Sequence, residues 1–259
     1  RGATPICFDT KSTRTKKAAK RLSECATVWG DIRDVGSIEA AFAGGVDGVI
    51  HLSAIIPPHS EVNPELARAI NVDGTRNLLG AIGRNRRCKR IVLASSIAVH
   101  GIRPVEAAPL EADADYEPLD HYSNHKVECE RMVQSSGLAW SILRIAVCPP
   151  LDAVKSLGDL AVSFELPVDE KIEVCHPADV GLAMSNAVAN DEAIGKTLLI
   201  GGGGNCRHTA YELMSRYLVA SGVGALPESA YATERTLPGG WVNTRESQAL
   251  LAYQRHTLD

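Results

Sequence analysis

The feature that most limits what this chain can fold into is a repeat of short apolar runs, each closing on small or polar residues and each followed by a helix-length segment. Thr4-Pro5-Ile6-Cys7-Phe8-Asp9, Ala26-Thr27-Val28-Trp29-Gly30-Asp31, Val46 to Ala54, Lys89 to Ser96 and Leu138 to Val147 are such runs. Near-continuous apolarity, without alternation, marks strands buried on both faces of a parallel sheet. Between them lie a basic stretch from Lys11 to Leu22, a short helix with Ser37 as its N-cap, a helix from about Pro64 to Ile82, and one from Tyr122 that Gly137 stops. Strand and helix alternating at this spacing predict an α/β fold built on a doubly wound parallel sheet. Gly74 falls inside the 64–82 helix, where it costs about 1 kcal/mol relative to Ala, so close packing is expected there.

After residue 150 the pattern loosens. Lys171 to His176 reads as a strand, Asp179 as a helix cap, Gly195 to Ile200 as a last strand, and 209–221 and 245–252 as helices. Residues 1–150 are expected to form the core, and 151–259 a small C-terminal substrate cap with closing elements interleaved with that core. Gly201 to Gly204 lack the Lys-Ser/Thr that follows a phosphate loop, which makes them a flexible connector.

At 259 residues and 45% apolar, the chain can bury a large core. Its net charge of -4, with both signs mixed, gives no footprint for nucleic acid or an anionic membrane, which leaves a small-molecule substrate as the expected partner. Seven scattered cysteines without a Cys-x-x-Cys pair argue against a disulfide framework or a metal site and fit a reducing cytoplasm. No apolar run reaches the length of a membrane span, and no signal peptide precedes the first strand.

In a doubly wound sheet, ligands sit at the carboxyl ends of the strands, and Asp9, Asp31, Ser53 and Ser96 all map there. Beside them, Tyr122 stands four residues before Lys126 at a helix start, so one turn separates the two side chains. A phenol has an ordinary pKa near ~10, and a neighbouring ammonium favours its phenolate. Tyr122 is thus a candidate proton carrier and Lys126 its tuner. Asp9 at a strand end suits a ribose and so NAD, whereas Lys11 or Arg14 could meet the extra phosphate of NADP.

Six ordered motifs carry a family resemblance over almost the whole chain: Gly30-Asp31-Ile32-Arg33-Asp34, His51-Leu52-Ser53-Ala54, Asn71 to Leu79, Ser95 to Gly101, Tyr122-Ser123-Asn124-His125-Lys126 and Leu143-Arg144. They resemble the extended short-chain dehydrogenase/reductase superfamily, the NAD-dependent epimerase/dehydratase group. The resemblance implies a Rossmann-like core that binds NAD and an oxidoreductase or epimerase acting at a hydroxyl or carbonyl carbon. It makes Tyr122 the acid/base residue, Lys126 its activator and a ribose ligand, and Ser96 rather than Ser95 the holder of the substrate oxygen. Asn71 would support the lysine. Asp9, Asp31 and Ile32 would meet the adenosine end, and Leu52, Ser53 and Ala54 would line the cofactor's path. The group often dimerises through two helices, here 63–83 and 122–136. The alternative is a non-catalytic, dinucleotide-sensing or scaffold protein of the same fold.

Two departures from the group matter. Arg1-Gly2 resembles the end of its first helix, so its first strand and glycine-rich turn are expected to be absent, leaving either a gap or rearranged pairing between 4–9 and 46–53, with poor stability and little or no bound cofactor. Val147 stands where nucleotide-sugar enzymes of the group carry Asn, which argues against a nucleotide-sugar substrate. His100 replaces a tyrosine.

Overall fold

A computed structural model of the chain describes residues 2–22, 24–85, 87–149 and 162–258. Its strands are β1 (Ile6–Asp9), β2 (Ala26–Trp29), β3 (Gly48–His51), β4 (Arg90–Ser96), β5 (Ala139–Ile145), β6 (Lys171–Glu173), β7 (Lys196–Ile200) and β8 (Arg207–Thr209). Strands β3, β4, β5 and β7 form an all-parallel sheet in that order, with Leu93 opposite Ile142 and Leu143 opposite Leu198. β7 comes from the C-terminal part, so that part is interleaved with the core.

The runs that form β4 and β5 are buried on both faces, as their composition demands. Ile91 and Leu93 of β4 and Ile142 of β5 pack with Ile38, Leu78, Ile82, Cys129 and Val133. Val92 and Leu143 point the other way, into Met184, Leu198, Ile200, Leu251 and Tyr253. The helices covering the first face are α2 (Val35–Phe42), α5 (Gly74–Arg84) and α6 (His121–Gln134); α7 (Pro177–Ala189) and α9 (Arg245–Leu251) cover the second. Each aliphatic side chain so buried contributes roughly 1.5–3 kcal/mol before conformational entropy is set against it. Elsewhere lie α1 (Thr13–Arg21), α3 (His59–Val62), α4 (Pro64–Arg68) and α8 (Ala210–Ala220). No described helix is long and apolar enough to cross a membrane.

β1 and β2 pair with each other in parallel but belong to a separate two-stranded sheet. β1 and β3 are thus not hydrogen-bonded to each other, and Ile6 and Ile50 are each 39% exposed. β6 and β8 form a third, antiparallel pair.

Four local expectations are refined. The predicted 64–82 helix is α4 and α5 joined by a π-helical turn, Ala69–Asp73. Gly74 follows that turn because a Cβ there would lie 2.7 Å from Cγ2 of Ile32, the close packing its cost implied. Asp34, not Ser37, caps α2; its Oδ1 accepts from Gly36 N at 3.0 Å, and Ser37 Oγ donates to Asp34 Oδ2 at 2.6 Å. Likewise His176 caps α7, while Asp179 in its first turn accepts from the backbone N–H groups of Arg255 and His256 at 2.9 and 3.0 Å. The glycines after β7 are not a flexible connector. A Cβ on Gly201 would run into the buried Glu173 carboxylate, which accepts from Gly203 N at 2.9 Å, so small residues are required for close approach.

Candidate active site

β4 ends in two serines whose side chains must point to opposite faces. Ser95 turns inward, where its hydroxyl donates to the buried Glu130. Ser96 turns the other way; its Oγ accepts from Ala98 N at 3.2 Å and lies near enough to the Tyr122 phenol to favour its ionised form. One turn further along α6, Lys126 is buried; its Nζ donates to the carbonyl oxygen of Ala94 at 2.7 Å and lies 5.6 Å from the Tyr122 ring centroid. Ser96, Tyr122 and Lys126 are thus brought together at the carboxyl end of β4.

The electrostatics depart from the simple expectation. Burial pushes the Tyr122 phenol up to about 12, and the neighbouring Ser96 hydroxyl only partly opposes it. Burial also pulls the Lys126 ammonium below its ordinary range, against the attraction of Cys129 and Glu130. Desolvation dominates in this state, so Tyr122 holds its proton at neutral pH and is set up first as an acid. His51 at the end of β3 is lowered to about 3 by burial and by Lys126; its Nε2 lies 2.8 Å from Thr75 Oγ1. Because that hydroxyl donates to Asn71 O at 2.5 Å, His51 carries its proton on Nε2 and is neutral.

Asn71 sits on the π-helical turn, and its carboxamide clamps Ile55, accepting from Ile55 N at 2.7 Å and donating to Ile55 O at 2.9 Å. Its side chain thus fixes the loop after β3, while its backbone carbonyl also accepts from Cys129 Sγ at 3.1 Å, on the helix of Lys126. Asp9 ends β1 exposed and accepts from Thr10 N at 2.7 Å. Asp31 forks onto Arg33, with Nη2 to Oδ2 at 2.6 Å, and this hydrogen bonding holds its carboxyl below the usual range. Ile32 is buried beneath Gly74. Ser53 and Ala54 are half-buried, and Leu52 is 62% exposed at the open end of β3.

Behind the serines lies a polar cluster. Glu130 receives Arg144 through Nε at 3.0 Å and Nη2 at 2.7 Å, together with the Tyr116 hydroxyl at 2.7 Å. Arg144 Nη1 in turn donates to His100 Nε2 at 2.9 Å, whose Nδ1 bonds Asp115 O at 3.1 Å. Burial and the adjacent Arg144 push the His100 imidazole down, so it accepts as a neutral ring.

The fold and the sequence have known counterparts. Residues 2–148 match the sequence pattern of the NAD dependent epimerase/dehydratase family. The chain belongs to that family. Among curated epimerase/dehydratase relatives it is 35% identical over 109 residues to the N-acetyl-alpha-D-glucosaminyl-diphospho-ditrans,octacis-undecaprenol 4-epimerase of Escherichia coli O157:H7, covering 40% of this chain and 30% of that one. It is 32% identical over 87 residues to the D-erythronate dehydrogenase of Haemophilus influenzae, covering 34% and 27% respectively. The matched stretches span less than a third of either relative. In fold it is similar to the dTDP-glucose 4,6-dehydratase DesIV of Streptomyces venezuelae, solved with NAD bound: TM-score 0.81, 21% identity, 99% of this chain and 84% of that one. It is also similar to the UDP-glucose-4-epimerase of Stenotrophomonas maltophila, solved with bound NAD: TM-score 0.79, 19% identity, 99% and 88% covered.

The sequence reading gave no role to His51 or Glu130. Only Glu130 had a usable signal: Arg144 is a charge in the middle of a buried strand, and such a charge needs a partner.

Proposed function

We propose that this protein is an NAD-dependent enzyme of the epimerase/dehydratase type, acting at a hydroxyl- or carbonyl-bearing carbon of a small substrate. The observation that carries the reading is the convergence of Ser96, Tyr122 and Lys126 at the carboxyl end of β4. The residues present fit the ribose and nicotinamide end of the cofactor, because Lys126 is a buried ammonium whose bond to Ala94 leaves two further N–H donors. Asp9 and Asp31 would hold the adenosine end, and a carboxylate at Asp9 favours NAD over NADP. Bound NAD supplies the site with a hydride acceptor.

The chain's own residues handle the proton. Ser96 hydrogen-bonds the substrate oxygen and holds it beside the phenol. Tyr122, protonated at neutral pH, gives its proton to a developing alkoxide, or accepts one when Lys126 is charged and close. Lys126 stabilises the phenolate, and Asn71 fixes the 52–56 loop that lines the site. Val147, 41% exposed and without a hydrogen-bonding group, favours a substrate lacking a nucleotide diphosphate.

NAD reduction with D-erythronate, in wild type and Tyr122→Phe, tests this, with UDP-glucose as the comparison that Val147 predicts to be the poorer substrate. Loss of the proton-transferring oxygen is expected to lower turnover by about 10²-fold or more while NAD affinity changes little. A Tyr122→Phe protein that turns over at the wild-type rate overturns the assignment.

A further inference from the structure

A helix that starts at a reacting side chain leaves its first amide N–H groups without partners inside the helix. In α6 every one of them is accounted for. Asp120 accepts from Ser123 N at 2.7 Å, the ordinary local cap. His121 N and Tyr122 N instead donate to Glu61, at 3.1 Å to Oε2 and 3.2 Å to Oε1. Glu61 lies on α3, some sixty residues upstream, in the loop that follows β3. The buried Ser60 hydroxyl donates to Glu61 Oε1 at 2.9 Å and fixes that oxygen. Burial works against the charge of Glu61, but the two α6 amides and Ser60 outweigh it and hold the carboxyl below its ordinary range.

From this we infer that Glu61 is a positioning residue for Tyr122, a reading that rests on the proposed role of that phenol. One carboxylate oxygen takes each amide, so the 55–62 segment and the backbone of Tyr122 move as one unit. Glu61 also acts electrostatically. Its negative charge offsets the positive end of the α6 dipole, which would otherwise favour a phenolate. The groups around the Tyr122 phenol are Asp120, Lys126 and Cys129 on its own segment and Ser96 from β4, while Glu61 from α3 holds its backbone amide. Glutamine is a poor replacement. It offers one acceptor oxygen and turns an NH₂ group towards the second amide.

The test uses the full chain with ¹³Cζ-labelled tyrosine, the Tyr122 signal being identified by its loss in Tyr122→Phe. In Glu61→Gln we expect the His121 and Tyr122 amides to exchange about tenfold faster or more. The phenol's titration should begin lower by about half a pH unit, because a like charge has been removed. Ser60→Ala, which frees only one oxygen, should move both readouts the same way by less, and serves if Glu61→Gln folds poorly. With D-erythronate or UDP-glucose as probe, kcat should fall about tenfold with KM nearly unchanged, and Glu61→Asp, one methylene short, should not rescue it. A role confined to stability would lower the melting temperature and leave the Tyr122 signal and its titration where they were, and that result overturns the inference. If neither probe is turned over by wild type while the Tyr122 signal still responds to Glu61, the proposed function loses support and the positioning role stands.

Discussion

The four-stranded β3–β4–β5–β7 sheet and the β1–β2 ribbon are built from the same kind of sequence, short apolar runs ending on a polar residue, yet they end in different physical states. In β4 every residue from Arg90 to Ser95 is buried, both edges are hydrogen-bonded, and a helix layer lies over each face. In β1 and β2 no residue is buried, and each strand has a single hydrogen-bonded neighbour. A parallel pair buried on neither face loses the apolar transfer energy that makes such pairing stable. The contrast teaches that an apolar run specifies a strand, whereas its neighbours decide how much that strand is worth. The catalytic candidates Ser96, Tyr122 and Lys126 stand on the well-packed side; Asp9 and Asp31 stand on the ribbon.

The largest expected effect compares the two regions' ion pairs. Glu130 and Arg144 are almost fully buried, so Glu130→Ala leaves a buried guanidinium without its carboxylate and should cost about 3–5 kcal/mol by urea unfolding. Arg33→Ala on the ribbon removes an exposed pair and should leave the unfolding midpoint unchanged. Equal effects would mean that the two regions are not energetically distinct.

Native-state amide exchange sharpens the same contrast. Ile91, Leu93 and Leu143 should exchange only on global unfolding, while Cys7, Phe8 and Val28 open locally, faster by roughly 10²–10³-fold. Comparable protection in β1 and β4 would show that the ribbon is held by contacts other than its pairing.

A pH effect of smaller size belongs to the sheet. His51 titrates near 3 when folded and near ~6.5 when unfolded, so between these values the unfolded chain binds more protons. Its contribution is complete above about pH 6.5 and is lost as pH falls towards 3. Relative to His51→Gln, wild type should lose about 2–3 kcal/mol of stability between pH 7 and pH 4. An unchanged difference over that range would mean His51 is not buried as a neutral ring.

Much of this was legible from residue type and spacing alone. Six ordered motifs were enough to expect the fold, the parallel core strands and the meeting of Tyr122 with Lys126, because i, i+4 geometry is local and apolar runs report burial directly. The caps were harder: Asp34 was passed over for Ser37, and Asp179 was taken for a cap although its partners, Arg255 and His256, arrive from the far end of the chain.

Sequence by itself therefore determined the α/β class and the positions of the core strands and brought forward the candidate site residues, since each depends on neighbours within a turn or along a strand. Only the tertiary structure decided that Glu61 caps the helix of Tyr122, that Glu130 meets Arg144, that Gly201 must be small beside Glu173, and that burial raises the phenol rather than the ammonium lowering it. Those outcomes depend on desolvation and on partners distant in sequence, and neither quantity exists until the chain has closed on itself.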